Sequence, residues 1–435
     1  MDNIKPKEAA AIIDSLTAGV VPNIGVQKIV VGRDLEVNAI LKDLERVSIG
    51  QNVMKFWIGD FGSGKSFMFH LLRALALKQK FVVASADFTP DIRLYSNDGK
   101  ALALYRQLIT NLSIQTKPEG GALSTLIEKW ICQTIEHIAE SNNMTIAQVN
   151  LPENRCMIDR EISKILNELT DTGSFELSNV IKKYYEAYCD GDDIIKRFAL
   201  KWLQGEYTTK TEARTDLGVR DIINDQNYYD VLKCLSHLFT SIGYAGLMIN
   251  LDEAINLYKI STSVMREKNY EKLLSIYNDC YQGRQCRLFV NVAGTKEFLQ
   301  NERRGLYSYE ALRTRLRPNK YAVGGIKDFS QPVIMIEPIG FEEILILLRN
   351  LVLIFNVRNN CSIALSDAQI LKFMTELYNK PGATEFLLPR EVIREFLYIL
   401  NIMHQNTNVI FDDLVKCVEV KDTRPLELLD EIDEL

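Results

Sequence analysis

An eight-residue run, Gly59-Asp60-Phe61-Gly62-Ser63-Gly64-Lys65-Ser66, fits the pattern G-x-x-x-x-G-K-[ST] and constrains the fold more than any other part of the chain. Glycines at these positions let the backbone curl until successive N–H groups point inward at phosphate oxygens. A helix opening near Lys65 adds its N-terminal donors and partial positive charge. The flanks supply the context such a loop needs. QNVMKFWIG reads as an apolar strand running straight into it, residues 67–77 as a helix, and FVVASADF (81–88) as a second strand. Strand, loop, helix and strand in this order predict a βαβ unit and a parallel sheet. Lys65 is placed to reach the β- and γ-phosphates of a nucleoside triphosphate, and the Ser66 hydroxyl to coordinate Mg²⁺. Phe67 follows at the helix start.

A triphosphate site also needs an acidic partner for the metal at the end of another strand. Leu247-Met248-Ile249-Asn250-Leu251-Asp252-Glu253 provides one, an apolar strand ending in adjacent carboxylates. Asp252 is expected in the Mg²⁺ shell, and Glu253 is expected to polarise the attacking water as general base. Two further features fit the same chemistry. The strand CRLFVNVAGT (286–295) ends in Gly294-Thr295, where a small hydroxyl can sense the γ-phosphate, although an ordinary turn accounts for it equally. Residues 301–320 hold Arg303, Arg304, Arg313, Arg315, Arg317 and Lys320 against Glu302 and Glu310. Arg315, with Arg313 in reserve, is the candidate for an arginine finger acting on a neighbouring subunit. A solvated basic helix, or a contact to nucleic-acid phosphates, explains the same run.

The rest of the chain sorts into segments. Residues 1–25 read as a helix (6–16) and a loop, 26–115 as the first part of an α/β core, and 116–240 as a helical insertion. Residues 241–340 complete the core with strands at 244–254, 286–295 and 332–339. Residues 341–435 form a helical lid ending in the acidic LELLDEIDEL. Lys65 and Asp252 are separated mainly by the insertion, longer than a compact core needs, so it is expected to be a docking surface or a brace.

Composition narrows the alternatives. With 57 acidic residues against 51 basic ones, no bulk positive field advertises nucleic-acid binding. No apolar stretch reaches transmembrane length, and no secretory leader is evident at the start, so a cytoplasmic protein is expected. The eight cysteines (132, 156, 189, 234, 280, 286, 361, 417) are scattered, and reduced, buried thiols are expected.

These pieces, in this order, resemble an AAA+ type P-loop ATPase, above all the origin-recognition and archaeal Cdc-six-like branch. Val31-Gly32-Arg33 is similar to the turn that borders the adenine there. Leu388-Pro389-Arg390-Glu391-Val392-Ile393-Arg394 resembles the segment whose arginine reaches back to the nucleotide, a second-sensor role carried onto Arg390, with Arg394 as the alternative. More narrowly, WIGDFGSGKSFMFHLLR, GLMINLDEAINL and YEALRTRL, supported by LLPREVIREFLYILN, look like the BrxD-like ATP-binding proteins of bacterial BREX phage-defence systems, over roughly residues 25–405. The resemblance implies an α/β fold with a P-loop NTPase parallel sheet, a helical insertion and a helical C-terminal lid. It also implies ATP and Mg²⁺ as ligands, ATP-dependent self-association, and work on DNA beside a helicase-like or other defence-system partner. No room is left for an appended winged-helix domain, so DNA contact is expected to be sequence-independent. A nucleotide-gated binding module with negligible hydrolysis, and a small-molecule kinase using the same loop, are the competing uses.

Overall fold

A computed structural model describes residues 4–167, 173–282, 286–322, 327–379, 388–406 and 408–416. The acidic tail and Cys417 lie outside them. The chain divides into two compact units, one formed by residues 1–37, 59–74 and 336–435, the other by 38–58 and 75–335.

The larger unit carries the sheet. Its strands are β1 (Val53–Ile58), β2 (Val82–Asp87), β3 (Leu247–Asp252), β4 (Leu288–Gly294) and β5 (Val333–Met335). All pairings are parallel, in the order β2-β3-β4-β1-β5. The expected parallel sheet is present, but β1 and β2 are not neighbours: both edges of β1 are taken, by β4 and β5. Buried on both faces, the strands read as near-continuous apolar runs. In register, Ile58 pairs with Gly294 and Asp87 with Asp252, so the strands end together along one carboxyl edge. β5 is shorter than the 332–339 run predicted. Pro338 has no N–H to donate, and this edge strand pairs only with Phe56–Ile58.

One sheet face, including Met54, Phe56, Ile58, Ile249, Leu251, Val290 and Val292, belongs to an apolar core that continues into the helices of 123–241. Trp130, Tyr184, Tyr185, Trp202 and Phe239 are part of that same core. Buried tyrosines brace it: Tyr105 donates to the Leu203 carbonyl at 2.6 Å and Tyr228 to that of Leu94 at 2.8 Å. The 123–241 block therefore shares a hydrophobic interior with the sheet.

The smaller unit packs α1 (Pro6–Thr17) with the helices Phe341–Asn359, Asp367–Tyr378 and Pro389–Gln405. Pro6 sits where a helix tolerates it, and Ser366 with Gln369 forms a capping box. Ile12, Ile13, Leu348, Leu351, Phe355, Phe373, Phe396 and Leu400 fill the core. Two further helices are α2 (Asp34–Ser48) and α3 (Lys65–Lys78), and a short helix, Glu310–Leu316, carries Arg313 and Arg315 in the larger unit.

The seven described cysteines are free thiols. Cys234, Cys280 and Cys286 are buried, but Cys132 and Cys156 are exposed, contrary to the expectation of burial, because they fall on the outer faces of amphipathic helices. No described helix is long and apolar enough to cross a membrane.

Candidate functional site

Candidate residues occur in both units. In the smaller unit, the glycine-rich loop leaves β1 at Gly59 and enters α3 at Lys65. Gly64 has φ +95°, a conformation that essentially demands glycine. Gly62, at φ +75°, lies so close to Leu388 that an added Cβ would come within 2.5 Å of its Cδ2. At Gly59, a Cβ would come within 2.4 Å of both the Ile336 carbonyl and the Ser63 hydroxyl. The Ser63 N–H donates to the Asp60 carbonyl at 3.2 Å, and the Met68 N–H to Gly64 at 2.9 Å, so the positive end of α3 opens at the loop's last glycine. Lys65 Nζ donates to the carbonyls of Gly59 (2.9 Å) and Asp60 (2.8 Å) and lies 5.6 Å from the centre of the Phe61 ring, which is half exposed. Phe67 packs against the helical core, and Ser66 is exposed.

This loop fits a phosphate chain. Its curl uses backbone conformations that side chains obstruct, and the buried Ser63 hydroxyl has no hydrogen-bond partner among the described residues.

The Val31-Gly32-Arg33 turn serves the loop in a way the sequence did not disclose. Val31 packs on the helical core. Arg33 is 5% exposed and donates to the Ser63 carbonyl at 3.1 Å and to that of Glu337. It also faces Glu36 at 3.6 Å. Burial lowers the guanidinium's pKa, and Glu36 opposes the shift, followed by Glu337 and Glu343. The side chain thus braces the phosphate loop from inside the protein.

Leu388, which touches Gly62, immediately precedes the helix Pro389–Gln405. Arg390 lies in its first turn, largely exposed and 3.7 Å from Glu391. Arg394 pairs closely with the same carboxylate, and its Nε is buried without a hydrogen bond among the described residues. Of the two second-sensor candidates, Arg390 is the freer side chain.

In the larger unit, β3 delivers Asp252 and Glu253 to the carboxyl edge. Glu253 is exposed and has φ +56°, a left-handed conformation that is rare and costly for a residue with a Cβ. Its N–H donates to the Asp252 carboxylate at 2.7 Å. The Ala254 N–H donates to the Ala293 carbonyl at 3.0 Å, which ties this strained turn to the end of β4. Asp87, the register partner of Asp252, is a candidate the sequence reading missed. Burial alone raises its carboxyl pKa. The available signal was another apolar strand, VVASAD, ending in a carboxylate.

Thr295 is buried and caps a short helix, its hydroxyl accepting the Phe298 N–H at 3.3 Å while keeping a proton to donate. The basic run splits. Arg304 folds over the Tyr258 ring (5.2 Å), and Arg313 pairs with Glu302 at 2.8 Å. Arg303, Arg317 and Lys320 are exposed, as is Arg315, whose Nη1 donates to the Ala311 carbonyl of its own helix at 2.8 Å.

No curated protein matches the chain. A match covering residues 4–419 nonetheless shows that the chain belongs to the family described as BREX system ATP-binding protein BrxC/D.

Proposed function

We propose that this ATP-binding protein is a Mg²⁺-dependent ATPase of AAA+ type, whose nucleotide state controls assembly with itself and with a DNA-processing partner of its defence system in the cytoplasm. The observation that carries hydrolysis, beyond binding, is Glu253: a carboxylate held in a strained backbone conformation directly after Asp252, as catalytic groups often are. Gly59 to Phe67 would cradle the phosphates, with Lys65 exchanging its carbonyl partners for phosphate oxygens. Ser66 and Asp252 would hold the metal, which when bound neutralises charge on the phosphates. Glu253 takes the proton of the attacking water, Thr295 donates its hydroxyl proton near the leaving charge, and Arg390 supplies positive charge from the lid helix.

Exposure of Arg315 beside the tied Arg313 favours Arg315 as the finger acting on a second copy. Arg303, Arg317 and Lys320 offer a sequence-independent contact to DNA phosphates. The helical segment 116–240 is the proposed docking element for the partner. Glu253→Gln should lower ATP turnover by roughly 10²- to 10⁴-fold while leaving ATP bound. Lys65→Ala should remove binding itself. Unchanged turnover in Glu253→Gln, measured with and without DNA, refutes the assignment. Tight ATP retention with no turnover in the parent protein would establish the nucleotide-gated switch instead.

A further inference from the structure

Alternation along the strands places Trp57, Asn250 and Asn291 on the sheet face opposite the shared apolar core. All three are almost completely inaccessible, at 2%, 2% and 0%. Buried amides in the middle of a parallel sheet are costly unless bonded, and these are bonded to one another. Trp57 Nε1 donates to Asn291 Oδ1 at 2.9 Å, and Asn291 Nδ2 donates to Asn250 Oδ1 at 3.1 Å. An indole N–H can only donate, so Trp57 fixes which end of the Asn291 amide faces it, and hence the direction of the next bond. The chain of bonds crosses β1, β4 and β3, the strands that lead to Gly59, Thr295 and Asp252. Asn250 lies two residues before Asp252 on the same face, and Asn291 two before Ala293 and four before Thr295. The ladder is therefore one side-chain layer behind the carboxyl edge.

We infer that Trp57, Asn291 and Asn250 form a positioning ladder that fixes the sideways placement of β3 against β4 and β1, and thereby holds Asp252 where its carboxylate can serve the metal. Apolar residues of similar size would fill the same volume, but they would leave the strands free to slide by fractions of an ångström. A buried polar network specifies one arrangement where apolar packing tolerates several. The inference rests on the proposed role of Asp252, so its test carries a control for that role.

The test measures ATP affinity of the full-length protein with Mg²⁺ and with EDTA, together with turnover and thermal stability. Partners that orient metal ligands typically contribute 10- to 100-fold, so Asn291→Leu should cut the Mg²⁺-dependent gain in ATP affinity, and turnover, by about tenfold or more. Affinity in EDTA should stay within about twofold, well below that effect. Asn250→Leu should act alike, and the double variant should be little worse than either single change, because one network is broken once. Loss of melting temperature with the Mg²⁺ gain and turnover intact would make the ladder merely structural and overturn the proposal. Asp252→Asn is the control. If it spares the Mg²⁺ gain and turnover, the reading of the site fails; if it removes both while the ladder variants keep both, the ladder alone fails. Should Asn291→Leu not fold, Trp57→Phe decides the matter, since it deletes the indole donor and keeps an aromatic ring: a wild-type Mg²⁺ gain in that variant overturns the proposal.

Discussion

Replacing Arg33 with methionine is the sharpest probe of how the phosphate loop is held. The substitution keeps an unbranched stem and removes the guanidinium that donates to the carbonyls of Ser63 and Glu337. It also removes the ion pair to Glu36, whose side chain is 3% exposed. Deleting one partner of a buried pair costs about 3–5 kcal/mol, mainly because the other charge stays buried. The loss of the two carbonyl bonds falls within that figure and is not added to it. At about 1.4 kcal/mol per factor of ten, local opening should become roughly 10²- to 10⁴-fold more frequent. Trp57, Trp130 and Trp202 all lie in the other unit, so indole fluorescence reports on the wrong region. Amide hydrogen exchange suits the problem: peptides covering 59–74 and 341–359 should exchange faster, while those covering β2 and β3 keep wild-type protection. Adding Glu36→Leu should recover part of the loss, because no buried charge is then left behind. A single variant that changes exchange less than tenfold, or a double variant as damaged as the single, would refute the argument that Arg33 clamps the loop through a buried charge.

Two further outcomes follow from the geometry. Glu253→Gly should abolish turnover yet raise stability by about 1 kcal/mol, since it releases a left-handed residue from strain; a melting temperature below that of Glu253→Gln would show that the backbone there is not strained. The second concerns Asp328. The Ser330 hydroxyl and N–H, with the side-chain amides of Asn319 and Gln331, donate to its carboxylate and hold its pKa down at about 2. A lowered pKa stabilises the fold above the ordinary value of 3.8, and the benefit disappears as pH falls through about 2. The difference in melting temperature between wild type and Asp328→Asn should therefore be steady from pH 7 to 5 and shrink below pH 4. A gap that widens in acid would reverse the assigned sign.

What the sequence disclosed was whatever is local. The glycine-rich loop is eight consecutive residues, and β1, β3 and β4 are apolar runs broken within the strand only by Lys55, Asn250 and Asn291, so the parallel α/β sheet could be read from periodicity and punctuation. The strand order could not, because both edges of β1 are claimed by segments more than two hundred residues further along the chain. Arg33 shows the same limit: its contact with Ser63 spans 30 positions, and its contact with Glu337 spans 304. Asp87 was hidden for a simpler reason. An apolar strand ending in one aspartate is a common pattern, and VVASAD points to a site only once the pairing puts Asp87 opposite Asp252. Helix Ser263–Gln282 is polar on most of its circumference, and only a narrow stripe through Tyr270, Leu273, Ile276 and Cys280 reveals the side that is buried.

The glycine-rich loop belongs to a unit stitched together from three separated stretches of chain. During synthesis, Gly59 to Ser66 emerge from the ribosome long before Glu337, Glu343 and Leu388, which brace or border that loop and its Arg33 clamp once folding is complete. A nascent chain therefore carries the glycine-rich loop before the segments that brace it exist, and the bracing is complete only once Leu388 has been added.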